Sequence, residues 1–399
     1  MYHLKQILHQ TFINEIVVDY NLASSIYEIC KQYSNNIFLV ADKNTAKLLN
    51  KSALSKIPNL VIPANSIASL ELVELITHQA KNSELIVAFG SGTVNDICKY
   101  ASYVEGKDYI LFPTAASMNG YTSTNASILV NGHKRSFKAH SAKAIYVDIN
   151  ILTNSPLRLT LSGFADFICR STVQADWLLS HLLLGTEYNE LPFIFSHEVE
   201  QILLSEYLEL AKKSTETVML LMEALLISGI GMVIAGGSHS ASQGEHMIAH
   251  AMSIVTPDYS LLHGEQVAVA TITMANLQEK ILSMRNPVIK SPSVNIDDIK
   301  ECFGNDEFVK VLEQKQITQQ NIDKVIHEKW QDISNIIEKN LLPAESLQRM
   351  FSELSIPHLP EHLGWSREQY YKIVNLAFAT RDRFTFLDLA NLYSFTENR

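Results

Sequence analysis

Short apolar runs alternate with amphipathic segments over the first 150 residues of the chain. Each run is rich in β-branched or aromatic residues and is bounded by polar or small ones, a pattern typical of buried strands in βαβ units. The pattern therefore predicts an N-terminal α/β domain with a mostly parallel sheet at residues 1–150. The predicted strands are EIVVD (15–19), NIFLVAD (36–42), NLVIP (59–63), LIVAFG (85–90), YILFPT (109–114) and AIYVD (144–148).

After residue 150 the apolar positions recur with a helical period, most clearly at 161–184, 218–235 and 366–393. Ser366 and Gln369 form a predicted capping box at the start of the last segment. The apolar run 218–235 contains a glutamate and two glycines, so we expect a buried core helix rather than a membrane span. An all-helical domain is predicted for residues 151–399, with the active site in the cleft between the two domains.

Composition narrows the class of protein. A length of 399 residues suits two domains, and 47% hydrophobic with 19% charged residues is typical of soluble globular chains. The net charge of −10 argues against nucleic acid or a membrane surface as the main partner. Four scattered cysteines and a start without signal-peptide features indicate a cytoplasmic protein.

A glycine-containing loop follows the predicted strand 85–90. In LIVAFGSGTVNDICKY, Gly90 and Gly92 allow a ligand to approach the backbone, and the helix that follows offers free N–H groups to a phosphate. Asn95 replaces the third glycine of the usual dinucleotide motif, so this loop alone is equally compatible with a plain tight turn. A second loop, FPTAASMNGYTSTNAS, also leaves a strand end. Together the loops favour a Rossmann-like domain that binds a pyrophosphate and a nicotinamide.

Three histidines suggest a metal site. His246 and His250 are four residues apart and share one helix face, but no glutamate lies between them, which argues against a zinc protease. Such a pair alone is more often a polar or core feature. His263 begins a further helical run and supplies a third imidazole. Asp166 is the best candidate for a carboxylate ligand, although an ion pair with Arg170 would also explain it.

Six segments of the chain carry a resemblance to a known family: GSGTVNDICKY, PTAASMNGYTS, SGFADFICRSTVQADW, GGSHSASQGEHMIAHAM, LLHGEQVAV and TRDRFTFLDL. In this order and at this spacing, they make the chain similar to the sn-glycerol-1-phosphate dehydrogenase family. That family lies in the superfamily of iron-type alcohol dehydrogenases, glycerol dehydrogenase and dehydroquinate synthase. The resemblance implies that Asp166, His246 and His263 are the metal ligands and that His250 faces the substrate as a proton relay or hydrogen-bond donor.

The resemblance also implies where a dinucleotide binds. Asp42 would hold the adenosine ribose, and its charge favours NAD over NADP. The expected cofactor-binding residues are Asp42, Gly90, Ser91, Gly92, Thr93, Val94, Thr114, Ala115, Ala116, Ser117 and Ser123. Asn119 stands where the family usually has aspartate and Arg170 where it tends to have lysine. Both are expected to contact substrate, together with Asp166 and His250, and both could alter which ketone fits.

The implied reaction is reduction of dihydroxyacetone phosphate to sn-glycerol 1-phosphate, with NAD or NADP and one divalent metal ion (zinc, nickel or iron). Arg170, Lys138 and Lys143 are candidates for binding the substrate phosphate, or else surface charges. One alternative is a dehydrogenase of the same fold that acts on another polyol or phosphopolyol. A second is a cyclase similar to dehydroquinate synthase that uses NAD transiently, and a third is a non-catalytic relative. A homodimer or larger homo-oligomer is implied.

Overall fold

A computed structural model describes residues 2–130, 132–284, 287–289, 294, 296–304, 306–318 and 322–394. The strands are β1 Glu15–Asp19, β2 Ile37–Asp42, β3 Asn59–Ile62, β4 Leu85–Gly90, β5 Asp108–Pro113, β6 Asn125–Val130, β7 His133–Lys138, β8 Ala144–Asp148, β9 Val288–Ile289 and β10 Tyr393–Ser394. The α-helices are α1 Tyr2–Ile7, α2 Ile26–Lys31, α3 Lys51–Lys56, α4 Leu70–Gln79, α5 Gly92–Val104, α6 Ile149–Asn154, α7 Leu157–Ile168, α8 Arg170–Leu184, α9 Leu191–Glu206, α10 Leu208–Ala211, α11 Thr215–Ile234, α12 Gly244–Val255, α13 His263–Leu282, α14 Ile296–Phe303, α15 Asp306–Thr318, α16 Ile322–Glu338, α17 Ala344–Glu353, α18 Arg367–Leu376 and α19 Phe386–Leu392. Short 3-10 helices lie at Leu8–Gln10, Leu22–Ser25, Thr45–Leu48, Ser238–Ser240, Pro360–Leu363 and Ala377–Thr380.

Six parallel strands form one sheet in the order β1-β8-β5-β4-β2-β3. These are the six predicted strands, and each observed boundary lies within one residue of the predicted one. Every residue of β4 is buried, as expected for a central strand that is covered on both faces. The predicted α/β fold class is confirmed.

The chain reverses its direction across this sheet between β2 and β4. β3 lies on one side of β2, and β4 lies on the other side. From β4 the chain then continues through β5 and β8 towards β1. In open parallel sheets, ligands bind at the carboxyl ends of the strands that flank such a reversal. The sheet topology therefore directs attention to the ends of β2 and β4.

The sequence analysis did not identify the antiparallel hairpin of β6 and β7. The signal was present in the sequence, since the residue pair Asn-Gly at 131–132 is a common hairpin turn between alternating strands.

The chain forms two compact units, and both are discontinuous in sequence. Unit 1 comprises residues 1–167 and 191–237, and unit 2 comprises residues 168–190 and 238–399. These bounds differ from the single boundary at residue 150 that the sequence predicted. The difference arises because α11 packs against α9, α6 and α1 and so belongs with the sheet.

The described residues include one helix that is long and apolar enough to cross a membrane, namely α11. However, 72% of its apolar window is buried inside the protein. Within unit 1, Glu223 on this helix accepts a hydrogen bond from the backbone N–H of Leu4. Its burial and its hydrogen-bonded glutamate are typical of the predicted core helix. Its length and apolar composition are therefore only weak evidence for a membrane span.

Unit 2 is largely helical and has one apolar core that includes Met247, Val269, Trp330 and Phe386. The prediction of an all-helical domain is wrong in one respect, because β9 and β10 pair as a short antiparallel sheet in this unit. The capping box of Ser366 and Gln369 is confirmed at the start of α18. The predicted helix over 366–393 is wrong in its middle, because residues 381–385 are not helical. The backbone of this stretch bonds to other groups instead of continuing the helix. The N–H of Thr385, for example, donates to Asp388 at the start of α19.

Candidate active site

The glycine loop connects β4 to α5 at the carboxyl edge of the sheet. A Cβ atom on Gly90 would lie 2.6 Å from the Cβ of Val94, so only glycine permits this tight turn. Ser91 precedes the helix and makes no side-chain capping bond. The first N–H groups of α5 are therefore not capped by this side chain, and they can bind an anion such as a pyrophosphate.

Asp42 ends β2, the strand next to β4. Ala41 is in register with Phe89, which places Asp42 beside the start of the glycine loop although the two are far apart in the sequence. The Asp42 Oδ1 atom accepts hydrogen bonds from the N–H groups of Asn44 at 2.7 Å and Thr45 at 3.0 Å. These bonds fix the carboxylate and leave Oδ2 for another partner.

The loop after β5 lies against the glycine loop. The N–H of Thr114 donates to the carbonyl of Gly90 at 3.2 Å, which joins the two predicted cofactor-binding segments. Thr114 is buried, as are the residues after it, Ala115, Ala116 and Ser117. The Tyr121 hydroxyl donates to the carbonyl of Ala115 at 2.7 Å and fixes the turn from inside.

Lys99 on α5 holds this second loop in place through hydrogen bonds to its backbone. It is fully buried, and its Nζ donates to the carbonyls of Gly120 at 2.6 Å and Asn125 at 3.1 Å. Burial lowers the pKa of Lys99 to about 8, while the charge of Asp96 opposes that shift. The Ser123 hydroxyl is also buried and is shared among Lys99, Gly120 and Asn125. Ser123 therefore shapes the loop from inside, which weakens the case for a direct cofactor contact.

Asp166 lies on α7 and is only 1% exposed. Its Oδ2 accepts a hydrogen bond from the backbone N–H of Asn119 at 2.9 Å, so the second loop and this carboxylate hold each other in place. Two glycines allow the close approach of helices to this loop. A Cβ on Gly163 would lie 2.0 Å from the carbonyl oxygen of Ala116, and one on Gly229 would lie 2.1 Å from the Oγ1 of Thr122.

His246 and His263 come together in unit 2. His246 lies on α12 and is buried, while His263 is the first residue of α13 and is exposed. Their ring centroids are 5.0 Å apart. Two imidazoles at this separation can share one divalent metal ion, which accepts imidazole together with carboxylate.

Glu245 orients the ring of His246. Its Oε1 lies 2.7 Å from His246 Nδ1, a contact that favours the tautomer with the proton on Nδ1 and makes Nε2 the nitrogen that would ligate a metal. Burial works to raise the pKa of Glu245, but the hydrogen bond and charge of His246 and the N–H of Gln243 hold it below its usual value. Thr172 donates to the other carboxylate oxygen at 3.3 Å. The histidine pair thus has the supporting carboxylate that a metal ligand requires.

Asp176 fixes the start of α12. Its Oδ2 accepts from the N–H of Gly244 at 2.9 Å and its Oδ1 accepts from the N–H of Phe386, so it connects the first residues of α12 and α19. Burial raises the pKa of Asp176 to about 8, and the nearby charge of Glu245 adds to that shift. Sequence analysis did not identify Glu245 or Asp176. The GEH triplet was the available signal for Glu245, since an acid beside a candidate ligand can orient it.

The remaining predicted substrate residues lie in different places. His250 is half-buried on α12, one turn after His246, and Arg170 is half-buried at the first position of α8. Lys138 is exposed at the end of β7. Lys143 forms an ion pair with Asp108, which leaves it less suited to bind a substrate phosphate.

Known proteins with similar sequences identify the family of the chain. The family model of iron-containing alcohol dehydrogenases matches residues 18–156. The chain is 34% identical over 267 residues to a glycerol-1-phosphate dehydrogenase [NAD(P)+] of Sulfurisphaera tokodaii, covering 65% of this chain and 76% of that protein. It is 31% identical over 274 residues to the protein of the same name from Pyrococcus furiosus, covering 67% of this chain and 79% of that protein.

The fold is also found among solved structures. A probable glycerol dehydrogenase from Sinorhizobium meliloti superposes with a TM-score of 0.65 at 15% identity, covering 94% of this chain and 91% of that chain. This likeness concerns the fold alone. The two glycerol-1-phosphate dehydrogenases are matched over more than two thirds of their own length at 34% and 31% identity. The chain therefore belongs to the glycerol-1-phosphate dehydrogenase family, and its fold is that of the iron-containing alcohol dehydrogenases.

Proposed function

We propose that this protein reduces dihydroxyacetone phosphate to sn-glycerol 1-phosphate with NADH or NADPH and one divalent metal ion. The curated relatives of the same family carry the name of this activity. The observation that carries the proposal is the pair of His246 and His263, with His246 oriented by Glu245. When bound, the dinucleotide would supply the hydride, and the metal would supply Lewis-acid polarisation of the substrate carbonyl.

The carboxyl edge of the sheet binds the dinucleotide in this proposal. The N–H groups at the start of α5 receive the pyrophosphate, because they are uncapped and lie at the positive end of the helix dipole. Residues 90–94 and 114–117 surround it with small side chains. Asp42 Oδ2 accepts hydrogen bonds from the adenosine ribose, which favours NAD because a 2′-phosphate would repel this carboxylate.

Asp166, His246 and His263 are the proposed metal ligands. The donors fit zinc, nickel or iron(II), which bind imidazole and carboxylate alike. His246 offers Nε2 because Glu245 fixes the opposite nitrogen. Asp166 is held by the N–H of Asn119 on the loop that we assign to the dinucleotide. His250, one turn further along α12, is proposed to donate a proton to the substrate oxygen, while Asn119 and Arg170 contact the substrate.

The test is metal-dependent oxidation of NADH with dihydroxyacetone phosphate. Protein that has been treated with a chelator and then re-supplied with zinc or nickel should recover turnover. His246→Ala should lose metal and at least about a thousandfold in kcat/KM, because Lewis-acid assistance contributes several kcal/mol. The matched control is His362→Ala, which removes an exposed histidine of the same unit and should leave turnover unchanged.

Failure of dihydroxyacetone phosphate as a substrate, with metal and NADH still bound, would refute the proposed reaction. A panel of unphosphorylated ketones would then test the alternative polyol substrates, for which Asn119 is the feature of interest. Release of inorganic phosphate from a substrate, without net consumption of NADH, would instead indicate a cyclase.

We further propose that the enzyme acts in the cytoplasm as a homodimer or larger homo-oligomer. All four cysteines are free thiols, as is usual in a reducing compartment. The oligomeric state rests on the family resemblance. Size-exclusion chromatography with light scattering measures it directly, and a monomer would contradict it.

A further inference from the structure

Two arginines of unit 2 meet at one loop. Arg381 and Arg383 follow the 3-10 helix at Ala377–Thr380, in the non-helical stretch that the sequence did not predict. Arg381 Nη1 donates to the Oγ of Ser242 at 2.7 Å. Arg383 donates through Nη2 to the Oγ of Ser238 at 2.8 Å and through Nη1 to the carbonyls of Ser238 and Ser242. Two guanidinium groups are thus fixed on the chain just before α12.

In the part of the chain that the structure describes, no carboxylate is bound to these two cations. Among the described residues neither arginine forms an ion pair, and their hydrogen bonds go to serine hydroxyls and carbonyls. Glu245 is the acid whose charge acts on both. However, its two oxygens bind the N–H of Gln243, the ring of His246 and the hydroxyl of Thr172.

Two guanidinium groups that are both partly buried and close together repel each other, and each loses part of its hydration. Arg383 shows the effect: burial and the charge of Arg381 lower its pKa to about 9. A guanidinium nevertheless stays protonated at neutral pH. A bound anion would remove the repulsion and replace the lost hydration, and a phosphate does so with the geometry that a guanidinium fork matches.

The pair retains donors for such an anion. A guanidinium has five N–H groups, and among the described residues Arg381 uses one of its nitrogens, for Ser242. Both arginines remain half-buried rather than enclosed, so a ligand can reach them. The same loop leads directly into α12, which carries His246 two residues after its start at Gly244. An anion held here would therefore lie at the loop that leads into the helix of the proposed metal ligand His246.

We infer that Arg381 and Arg383 bind the phosphate group of the substrate, with the hydroxyls of Ser238 and Ser242 fixing their orientation. This inference rests on the proposed function for the identity of the ligand, whereas the anion site itself does not. The two arginines are better candidates for binding the substrate phosphate than Lys143, because Lys143 already pairs with Asp108. It also gives a reason for the RDR sequence at 381–383, where an exposed aspartate separates the two cations.

The test measures anion binding and turnover separately, on the metal-loaded full chain. Isothermal titration with inorganic phosphate, and with sulfate as a second probe, gives the anion affinity of wild type and Arg381→Gln. Charge-assisted hydrogen bonds of this kind correspond to about a 10- to 100-fold weaker Kd when one partner is lost. Arg367→Gln is the matched control, because Arg367 is exposed and pairs with Glu361. Its Kd should equal that of wild type.

Turnover then separates a binding role from a structural one. In Arg381→Gln, KM for dihydroxyacetone phosphate should rise about 10- to 100-fold, whereas kcat/KM for unphosphorylated dihydroxyacetone should change less than about twofold. Arg381→Lys should recover part of the loss because it restores the charge. Arg383→Gln is the second variant, although it also removes three bonds to the loop. If it fails to fold, Arg381→Gln decides the matter.

Unchanged phosphate affinity in Arg381→Gln, with metal content equal to wild type, would overturn the inference. Equal losses for the phosphorylated and unphosphorylated ketones would overturn it as well, because they would indicate a structural role. A failed substrate assignment gives a different result. Wild type would then bind phosphate through Arg381 but not turn over dihydroxyacetone phosphate, which refutes the proposed reaction and leaves the anion site in place.

Discussion

The carboxyl edge of the sheet in unit 1 is built differently from the polar cluster of unit 2, by which we mean His246, His263, Arg381 and Arg383 with the side chains that hold them. The sheet edge offers backbone groups, small side chains and close approaches that glycine permits, as at Gly90 and Gly163. The cluster consists of charged and imidazole side chains held by other polar side chains, such as Glu245 on His246. The first is determined by where the backbone runs, and the second by which side chains meet.

Because of this difference, we expect the two regions to tolerate different kinds of substitution. A site made of backbone tolerates changes of charge but not of volume, because backbone atoms of a packed loop cannot move aside. A site made of charged side chains tolerates small changes of volume but not the loss of a partner, because an unpaired buried polar group is costly. Four changes test this contrast.

Gly163→Ala should have the largest effect. Its Cβ would lie 2.0 Å from the carbonyl oxygen of Ala116, a backbone atom that cannot rotate away. We expect the free energy of unfolding to fall by about 3 kcal/mol or more, measured by urea denaturation. Gly92→Ala is the control, because the nearest atom, at 3.3 Å, belongs to the flexible side chain of Met118. A stable Gly163→Ala protein would contradict the contrast.

Glu245→Gln should come next. The amide cannot fix His246 as a carboxylate does, and loss of such a partner costs about 10- to 100-fold in metal affinity. Competition with a coloured chelator measures that affinity. Glu361→Gln, which changes an exposed glutamate, should bind metal as wild type does. Wild-type metal affinity in Glu245→Gln would show that the histidine pair needs no orienting carboxylate.

The sheet edge could be predicted from the sequence more completely than the polar cluster. The strand ends that bear Asp42 and Gly90 follow from short apolar runs, because a buried parallel strand is a local pattern. The spacing of His246 and His250 likewise follows from one helix. The contact of Arg381 with Ser242 joins residues 139 positions apart, so no local pattern reports it. The non-helical backbone at 381–385 was missed for the same reason, since tertiary bonds override its helical period.

Lys99→Met tests the charged group inside the backbone-built region. Burial lowers the pKa of Lys99 to about 8 from its usual value of 10.5, so above about pH 8 the unfolded chain binds more protons than the folded one. The stability of wild type should therefore rise relative to Lys99→Met by about 1 kcal/mol per pH unit between about pH 8.5 and pH 10.

Denaturation of both proteins at a series of pH values measures this difference, and all other titrating groups cancel. A difference in stability that is constant over this pH range would mean that the Lys99 pKa is not lowered. Lys99→Arg, which cannot lose its proton in this range, should show no such rise.

Asp42→Ser should have the smallest effect. Serine can still accept the N–H bonds that hold the turn at Asn44 and Thr45, but it removes the charge. We expect the ratio of kcat/KM with NADPH to that with NADH to rise about tenfold, a change of about 1.4 kcal/mol. Stability should stay the same. An unaltered preference would remove Asp42 from the proposed ribose contact.

The discontinuity of unit 1 affects how the chain can be made. A nascent chain that has emerged as far as residue 190 contains every strand of the six-stranded sheet, but it lacks α9 and α11. The Thr122 hydroxyl donates to the carbonyl of Leu226 on α11, and that carbonyl is synthesised about a hundred residues later. The sheet can form early during translation, whereas its second loop cannot be secured until α11 leaves the ribosome. Apolar surface that α11 later covers is exposed in the meantime, and it is there that chaperones would bind.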